Sequence, residues 1–280
     1  MVEGSYSIGG AGVGVRSTSR EFGRWLDHAL ATHRSSEKAI PVYSVVVAEP
    51  QGGARLAKER YHILYKGTIA IIKTPDFQTL ARTLLSDLEM YLFQDRDDAI
   101  FADMNVVTSD GLNALVPGSV VPFIGTLGRR RLGRTGLTLP TETVVAIERS
   151  SGRVVPIRPM VEVTAGALDL LGDVAPADGR DPRMVVERPL SIDVLVSVGW
   201  GSDPVVPVTK GLALYRLGSH VANLERLGGG AIEGTRPIVE RARCFEVASA
   251  KPAEMLDALL QIFRTEKVGQ RSVGSIGTRE

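Results

Sequence analysis

The sequence predicts an α+β fold within the broad α/β class: a small N-terminal α+β domain, then a larger β-rich domain with flanking helices. Two patterns carry this expectation. Short runs of β-branched and apolar residues recur between Gly, Pro and Asp punctuation, as strands do. Other stretches repeat apolar residues at helical spacing, as amphipathic helices do. With 280 residues, 44% of them apolar, the chain can build one large core or two modest ones.

The elements follow in order. Residues 6 to 16 alternate Tyr, Ile and Val with glycines, as a short strand does. Phe22, Trp25, Leu26, Ala29 and Leu30 then mark one face of a helix. Val42 to Ala48, Tyr61 to Tyr65 and the isoleucine-rich Thr68 to Lys73 read as strands. Thr74-Pro75-Asp76 predicts a helix start, with a capping hydroxyl and a proline in the first turn. Leu80, Leu84, Leu88, Tyr91 and Leu92 form its apolar face. Gly9 to Gly14 offers a Gly-x-Gly pattern, but no long strand precedes it and an extended segment follows. A strand edge or bulge therefore explains these glycines better than a dinucleotide site.

The acidic stretch Asp95 to Asp98 marks the expected boundary, giving domains 1–98 and 99–265 and a mobile tail at 266–280. Met104 to Thr108, Asn113 to Val116, Thr143 to Glu148, Arg153 to Ile157 and Ile192 to Val198 read as strands. Asp110-Gly111 and Arg149-Ser150-Ser151-Gly152 are turns, and residues 172 to 183 form a surface loop. Residues 211 to 226 read as a helix that Gly228-Gly229-Gly230 breaks. Pro252 to Arg264 is a last helix, with Met255, Leu256, Leu259 and Phe263 inward.

Composition narrows the function. A formal net charge of +1 gives no global reason to bind nucleic acid or an acidic membrane. Cys244 is the single cysteine, so no intramolecular disulfide forms; a buried inert thiol in a reducing cytoplasm fits. No run approaches the roughly 20 apolar residues of a membrane span, and the first residues lack an export signal. His28, His33, His62 and His220 include no pair at i,i+4 spacing, and no metal site is expected. Trp25 and Trp200 read as core or rim aromatics.

The most informative segment is Leu115 to Leu127, which has the frame of a phosphate-binding loop after a strand without its chemistry. Such a loop uses glycines so that successive N–H groups close around phosphate, a lysine for the outer phosphates and a Ser/Thr for magnesium. Here Val121 and Phe123 stand in the glycine positions and Ile124 in that of the lysine. Pro122 removes one N–H donor. Gly118, Ile124, Gly125 and Thr126 are what remains of a nucleotide-binding loop.

The order of segments resembles the HPr kinase/phosphorylase-like proteins, in particular the compact bacterial relatives encoded with peptide natural-product pathways. Val106 to Gly111 is similar to that family's approach to the loop, and Leu115-Val116-Pro117-Gly118 to its first turn. Leu127 to Gly136 resembles the helix and its closing glycine. Thr141 to Ile147 resembles the acidic pair and its strand, and Gly152 to Pro156 the hairpin return. Thr209 to Leu214 followed by Asn223, and residues 237 to 263, resemble the end of the domain. The resemblance implies a phosphoryl-transfer fold that assembles into a homo-oligomer. It also shows what is missing: Thr141 replaces the aspartate of the acidic pair, Glu142 keeps the second position, and Asp103 falls near the family's histidine.

Phosphoryl transfer depends on positioning and charge neutralisation, so these losses argue against kinase activity. The expected function is that of a retired kinase, a scaffold or accessory factor for a peptide or protein, with no cofactor. The alternative is an active atypical serine kinase or phosphotransferase using ATP and magnesium. Asp103 is then a general base by position and Glu142 a residual acidic ligand. Arg129, Arg130, Arg131 and Arg134 offer forked donors to an anion or a peptide carboxylate. Three consecutive arginines cannot share a helix face, so a solvated basic surface competes with that reading. Lys210 is a candidate to compensate from a distance, but it would still face a glycine-poor loop, which argues against that role.

Overall fold

Alternation at the start of the chain builds not one strand but a hairpin. In the computed structural model, which describes residues 1–48, 61–118, 137–138, 144–157, 160–164, 166–167, 188–199, 203–248 and 252–274, β1 (Val2–Ile8) pairs antiparallel with β2 (Ala11–Ser17). The turn is Gly9-Gly10, with φ of 57° and 86°, a two-residue turn that glycine enters without steric cost. The Gly-x-Gly pattern is therefore turn and strand.

The architecture is α+β, with three sheets and six α-helices among the described residues. It divides into two units: Met1–Leu92 with Arg158–Pro182, and Phe93–Ile157 with Arg183–Glu280.

In the first unit, α1 (Arg20–Ala29) crosses from β2 to the parallel β3 (Pro41–Val46), and β4 (His62–Lys66) and β5 (Ile69–Thr74) complete the sheet by antiparallel pairing. The sheet order is β1-β2-β3-β4-β5. Ser19 caps α1 by accepting from the Phe22 N–H at 3.3 Å. Phe22, Trp25, Leu26 and Ala29 face the core as the spacing predicts. They pack with Leu80, Leu84 and Leu88 of α2 (Phe77–Phe93).

Helix α2 starts two residues later than its sequence suggests, and its cap is different. Asp76 Oδ2 accepts from the Thr79 N–H at 2.7 Å, while Thr74 Oγ1 accepts from the Asp76 N–H at 3.1 Å. Pro75 thus precedes the cap, and the proline turn delivers a carboxylate to the first free N–H groups. Glu89, 6% exposed, accepts from the Met160 and Val161 N–H groups at 2.6 and 2.9 Å. That carboxylate ties residues 160 and 161 into this unit.

In the second unit, β6 (Ile100–Ala102), β10 (Val145–Ile147) and β11 (Val154–Val155) form a small antiparallel sheet. The larger sheet contains β7 (Met104–Ser109), β8 (Leu112–Pro117), β9 (Leu137–Thr138), β12 (Val194–Val198), β13 (Val205–Pro207) and β14 (Arg243–Val247). Its order is β13-β14-β12-β8-β7-β9. The three central strands β14, β12 and β8 run parallel.

The expected helix over 211–226 is two: α3 (Lys210–Gly218) and α4 (Leu224–Leu227). Asn223 explains the break. Its buried carboxamide accepts from the Phe101 N–H at 3.0 Å and donates to the carbonyls of Arg96 and Ala99 at 2.8 and 2.7 Å. Gly228 has a φ of 54°, but Gly229 and Gly230 open a further helix, α5 (Gly229–Arg241), that propensity argued against. Packing overrides propensity there: Ala231, Gly234, Thr235, Ile238 and Val239 are buried. The last helix, α6 (Pro252–Gly274), runs past residue 265, and Glu266 is buried. Met255, Leu256, Leu259 and Phe263 face a core with Val107, Val116 and Val196, as the pattern predicts.

Candidate functional site at the carboxyl end of the parallel strands

Open sheets with parallel central strands bind ligands beyond the carboxyl ends of those strands. Here those ends are Pro117, Val198 and Val247. β7 runs antiparallel to β8, so its first residues, with Asp103 just before them, lie at the same end. α3 runs to this end from the opposite one: Lys210, at its start, contacts residues just before β14, and just beyond its last residue the His220 carbonyl accepts from the Asp103 N–H at 2.8 Å. Topology therefore gathers Asp103, Asn105, Ser197, Arg216, His220 and Glu246 at one end of one sheet.

Two glycines make the close approaches possible. A Cβ on Gly118, which follows β8, would overlap the Asp103 carboxylate. A Cβ on Gly199, which follows β12, would overlap the Glu246 carboxylate. Each carboxylate therefore lies against the backbone at the end of a parallel strand. Glu246 Oε2 accepts from Arg216 Nη2 at 3.2 Å, with side chains 19% and 35% exposed. The pair is half sheltered, so its value sits between a surface pair and a buried one. Arg216 Nε is buried and makes no hydrogen bond.

His220 lies two residues past the last residue of α3, and the Arg216 charge acts on its imidazole. Burial, reinforced by the Arg216 charge, holds its pKa below the usual imidazole value, so the ring is unprotonated at neutral pH. Ser197 Oγ donates to the Phe245 carbonyl at 3.3 Å. On β7, Asn105 is 0% exposed and neither its carboxamide nitrogen nor its oxygen has a hydrogen-bond partner. Unpaired buried polar atoms cost on the order of 1–3 kcal/mol each, so this position is held against a local penalty.

Of the residues singled out from sequence, Asp103 and Gly118 are brought together, and the Gly118 N–H also donates to the Asp103 carbonyl at 3.0 Å. Ile124, Gly125, Thr126, Arg129, Arg130, Arg131, Arg134 and Glu142 lie outside the described residues, as do Val121, Phe123 and Thr141. Lys210 is at the opposite end of the sheet, where its ammonium donates to the carbonyls of Glu240, at 3.3 Å, and Ala242. It caps the C-terminus of α5, a favourable place for a cation. Cys244 is buried, and burial raises its thiol pKa. Among the described residues no group of three His, Cys, Asp or Glu side chains is arranged to hold a metal ion.

Arg216, His220, Glu246 and Asn105 were not singled out from sequence. None carries a sequence signal: Arg216 sits in the last turn of a helix, His220 follows that helix, and Glu246 and Asn105 alternate in strands like any other residue. Comparison with models of known protein families, with curated proteins and with solved structures gives no match. No described helix is long and apolar enough to cross a membrane.

Proposed function

We propose that this chain is a catalytically retired relative of the HPr-kinase-like proteins that binds a peptide or small protein as a scaffold or accessory factor in the cytoplasm. One observation carries the reading. The segment that leaves β8 at the carboxyl end of the parallel strands, where such a fold places its phosphate loop, contains no lysine and has Val121, Phe123 and Ile124 at its centre. Lys210 supports the same reading, because it is engaged at the other end of the sheet. Without the glycines and the lysine, the segment lacks the residue types by which such a loop brings backbone N–H groups and a lysine charge to a triphosphate.

A second reading, an atypical ATP-dependent kinase or phosphotransferase, draws support from Asp103, which lies against Gly118 at the head of that segment. A carboxylate there is placed to take a proton from a hydroxyl. Calorimetric titration with Mg-ATP separates the two. The retired kinase gives no saturable binding up to millimolar nucleotide, whereas micromolar binding or phosphate transfer to a peptide serine supports the enzyme.

A further inference from the structure

The sheet of the first unit has two unlike faces. α1 and α2 pack on one, against Tyr43, Val45 and Leu64. Register fixes the residues of the other. Arg16 pairs with Ser44, Ser44 with Tyr65 and Tyr65 with Ala70 in one row, and Val46 with Ile63 and Ile63 with Lys73 in the next. Alternation along each strand turns these side chains away from the helices, and none belongs to the core between helices and sheet.

Residues 35–40 cross this face over β1 and β2. The Ala39 N–H donates to Ser5 Oγ at 3.1 Å, and Lys38 pairs with Glu3 at 3.4 Å. A Cβ on Gly14 would overlap the Ile40 carbonyl, so the crossing needs a glycine there. The segment then enters β3, which leaves both rows beyond it.

The outward face of an antiparallel sheet ordinarily carries polar residues. Here its middle is Val46, Ile63 and Tyr65, the first 37% exposed and the other two half-buried. Arg16 on the β2 flank and Lys73 on the β5 flank are exposed. Arg16 Nε donates to Ser44 Oγ at 2.6 Å, and the Lys73 ammonium lies 4.4 Å from the Tyr61 ring centroid. Among the described residues neither cation is in an ion pair, and neither row contains an acidic residue.

Charge selects the occupant. A second copy meeting this face with its own would bring like charges together. A nucleic acid would meet only two cations and aliphatic side chains that cannot stack on a base. A peptide with carboxylates at its ends and apolar residues between them matches both the flanks and the middle. Three strand spacings separate β2 from β5, about 14 Å, which an extended chain covers in about four or five residues.

We propose that this face, over β3, β4 and β5, docks an acidic peptide segment with apolar residues at its centre. The proposal rests on the peptide-binding reading above and names the surface and the chemistry of the partner.

The test is amide NMR of the full chain titrated with the peptide Asp-Glu-Leu-Phe-Leu-Glu-Asp. It should shift β3, β4 and β5 amides saturably, and at least tenfold more tightly than Lys-Lys-Leu-Phe-Leu-Lys-Lys or Asp-Glu-Ser-Gly-Ser-Glu-Asp. Arg16→Glu with Lys73→Glu should weaken the acidic peptide at least tenfold and strengthen the basic one, at the wild-type melting temperature. Arg16→Gln with Lys73→Gln should weaken the acidic peptide without favouring the basic one. Absence of saturable shifts, shifts confined to another surface, or equal binding of acidic and basic peptides overturns the proposal. So does an oligouridylate that binds this face more tightly than the acidic peptide, or a dimer in solution that buries it. Peptide binding elsewhere on the chain would sink this surface and leave the retired-kinase reading standing, while Mg-ATP binding would do the reverse.

Discussion

His220 couples the carboxyl-end cluster to pH. Burial and the Arg216 charge lower its pKa in the folded state, relative to an ordinary value of about 6.5 in the unfolded chain. The charged group that acts on it is Arg216, in the last turn of α3, whose own partner is Glu246 on β14. A base with a depressed folded pKa binds more protons when unfolded, so stability rises with pH across the window between the two values. Its contribution is therefore complete above about pH 6.5 and is lost as pH falls below it. Urea unfolding followed from pH 7.5 to 5 should show this slope, and His220→Gln should flatten it. An unchanged slope in the variant would place the titration elsewhere. None of this was legible in the sequence, where His220 is one histidine among four and its burial depends on a strand and a helix distant in the chain.

At the scale of elements, caps and buried amides decide where helices begin and end. The proline turn at 74–76 announced α2, but the sequence alone favoured the Thr74 hydroxyl over the Asp76 carboxylate. The structure assigns the cap to Asp76 through Thr79, with Thr74 holding the turn before it. Asp76→Ala should then cost about 1 kcal/mol and Thr74→Ala less. Trp25 fluorescence during urea unfolding, in a Trp200→Phe background, reads this unit. Equal losses would return the cap to Thr74.

Asn223 illustrates a signal that sequence carried without its meaning. Its three hydrogen bonds join α4 to the backbone at Arg96, Ala99 and Phe101, 122 to 127 positions earlier in the chain. At about 1 kcal/mol per bond, Asn223→Ala should destabilise this unit by about 3 kcal/mol. Exchange of the Phe101 amide should then accelerate by roughly 100-fold. Protection equal to that of the parent would refute the role. Helix α5 was illegible for the opposite reason: three glycines and Pro237 argue against a helix locally, and only burial against β6 and α3 supports it.

At the scale of the whole chain, alternation and spacing gave most strands and four helical regions, and with them the α+β class. They did not give the path. Residues 158–182 belong to the first unit although the chain around them builds the second, and one visible reason is Glu89 accepting from two backbone N–H groups. Backbone donors have no sequence signature, so such an excursion cannot be read from residue types. The candidate site was partly legible: Leu115 to Gly118 ends a parallel strand and brings Asp103 beside it, while Arg216, His220 and Glu246 arrive only through topology.

The decisive chemical question is whether the segment after β8 still receives a nucleotide. Isothermal calorimetry of the full chain with Mg-ATP, paired with phosphopeptide mass analysis after incubation with serine peptides, asks it directly. A retired kinase gives no saturable heat up to millimolar ATP and no phosphorylated peptide. Micromolar, magnesium-dependent binding or a phosphorylated serine would contradict the proposed loss of phosphoryl transfer.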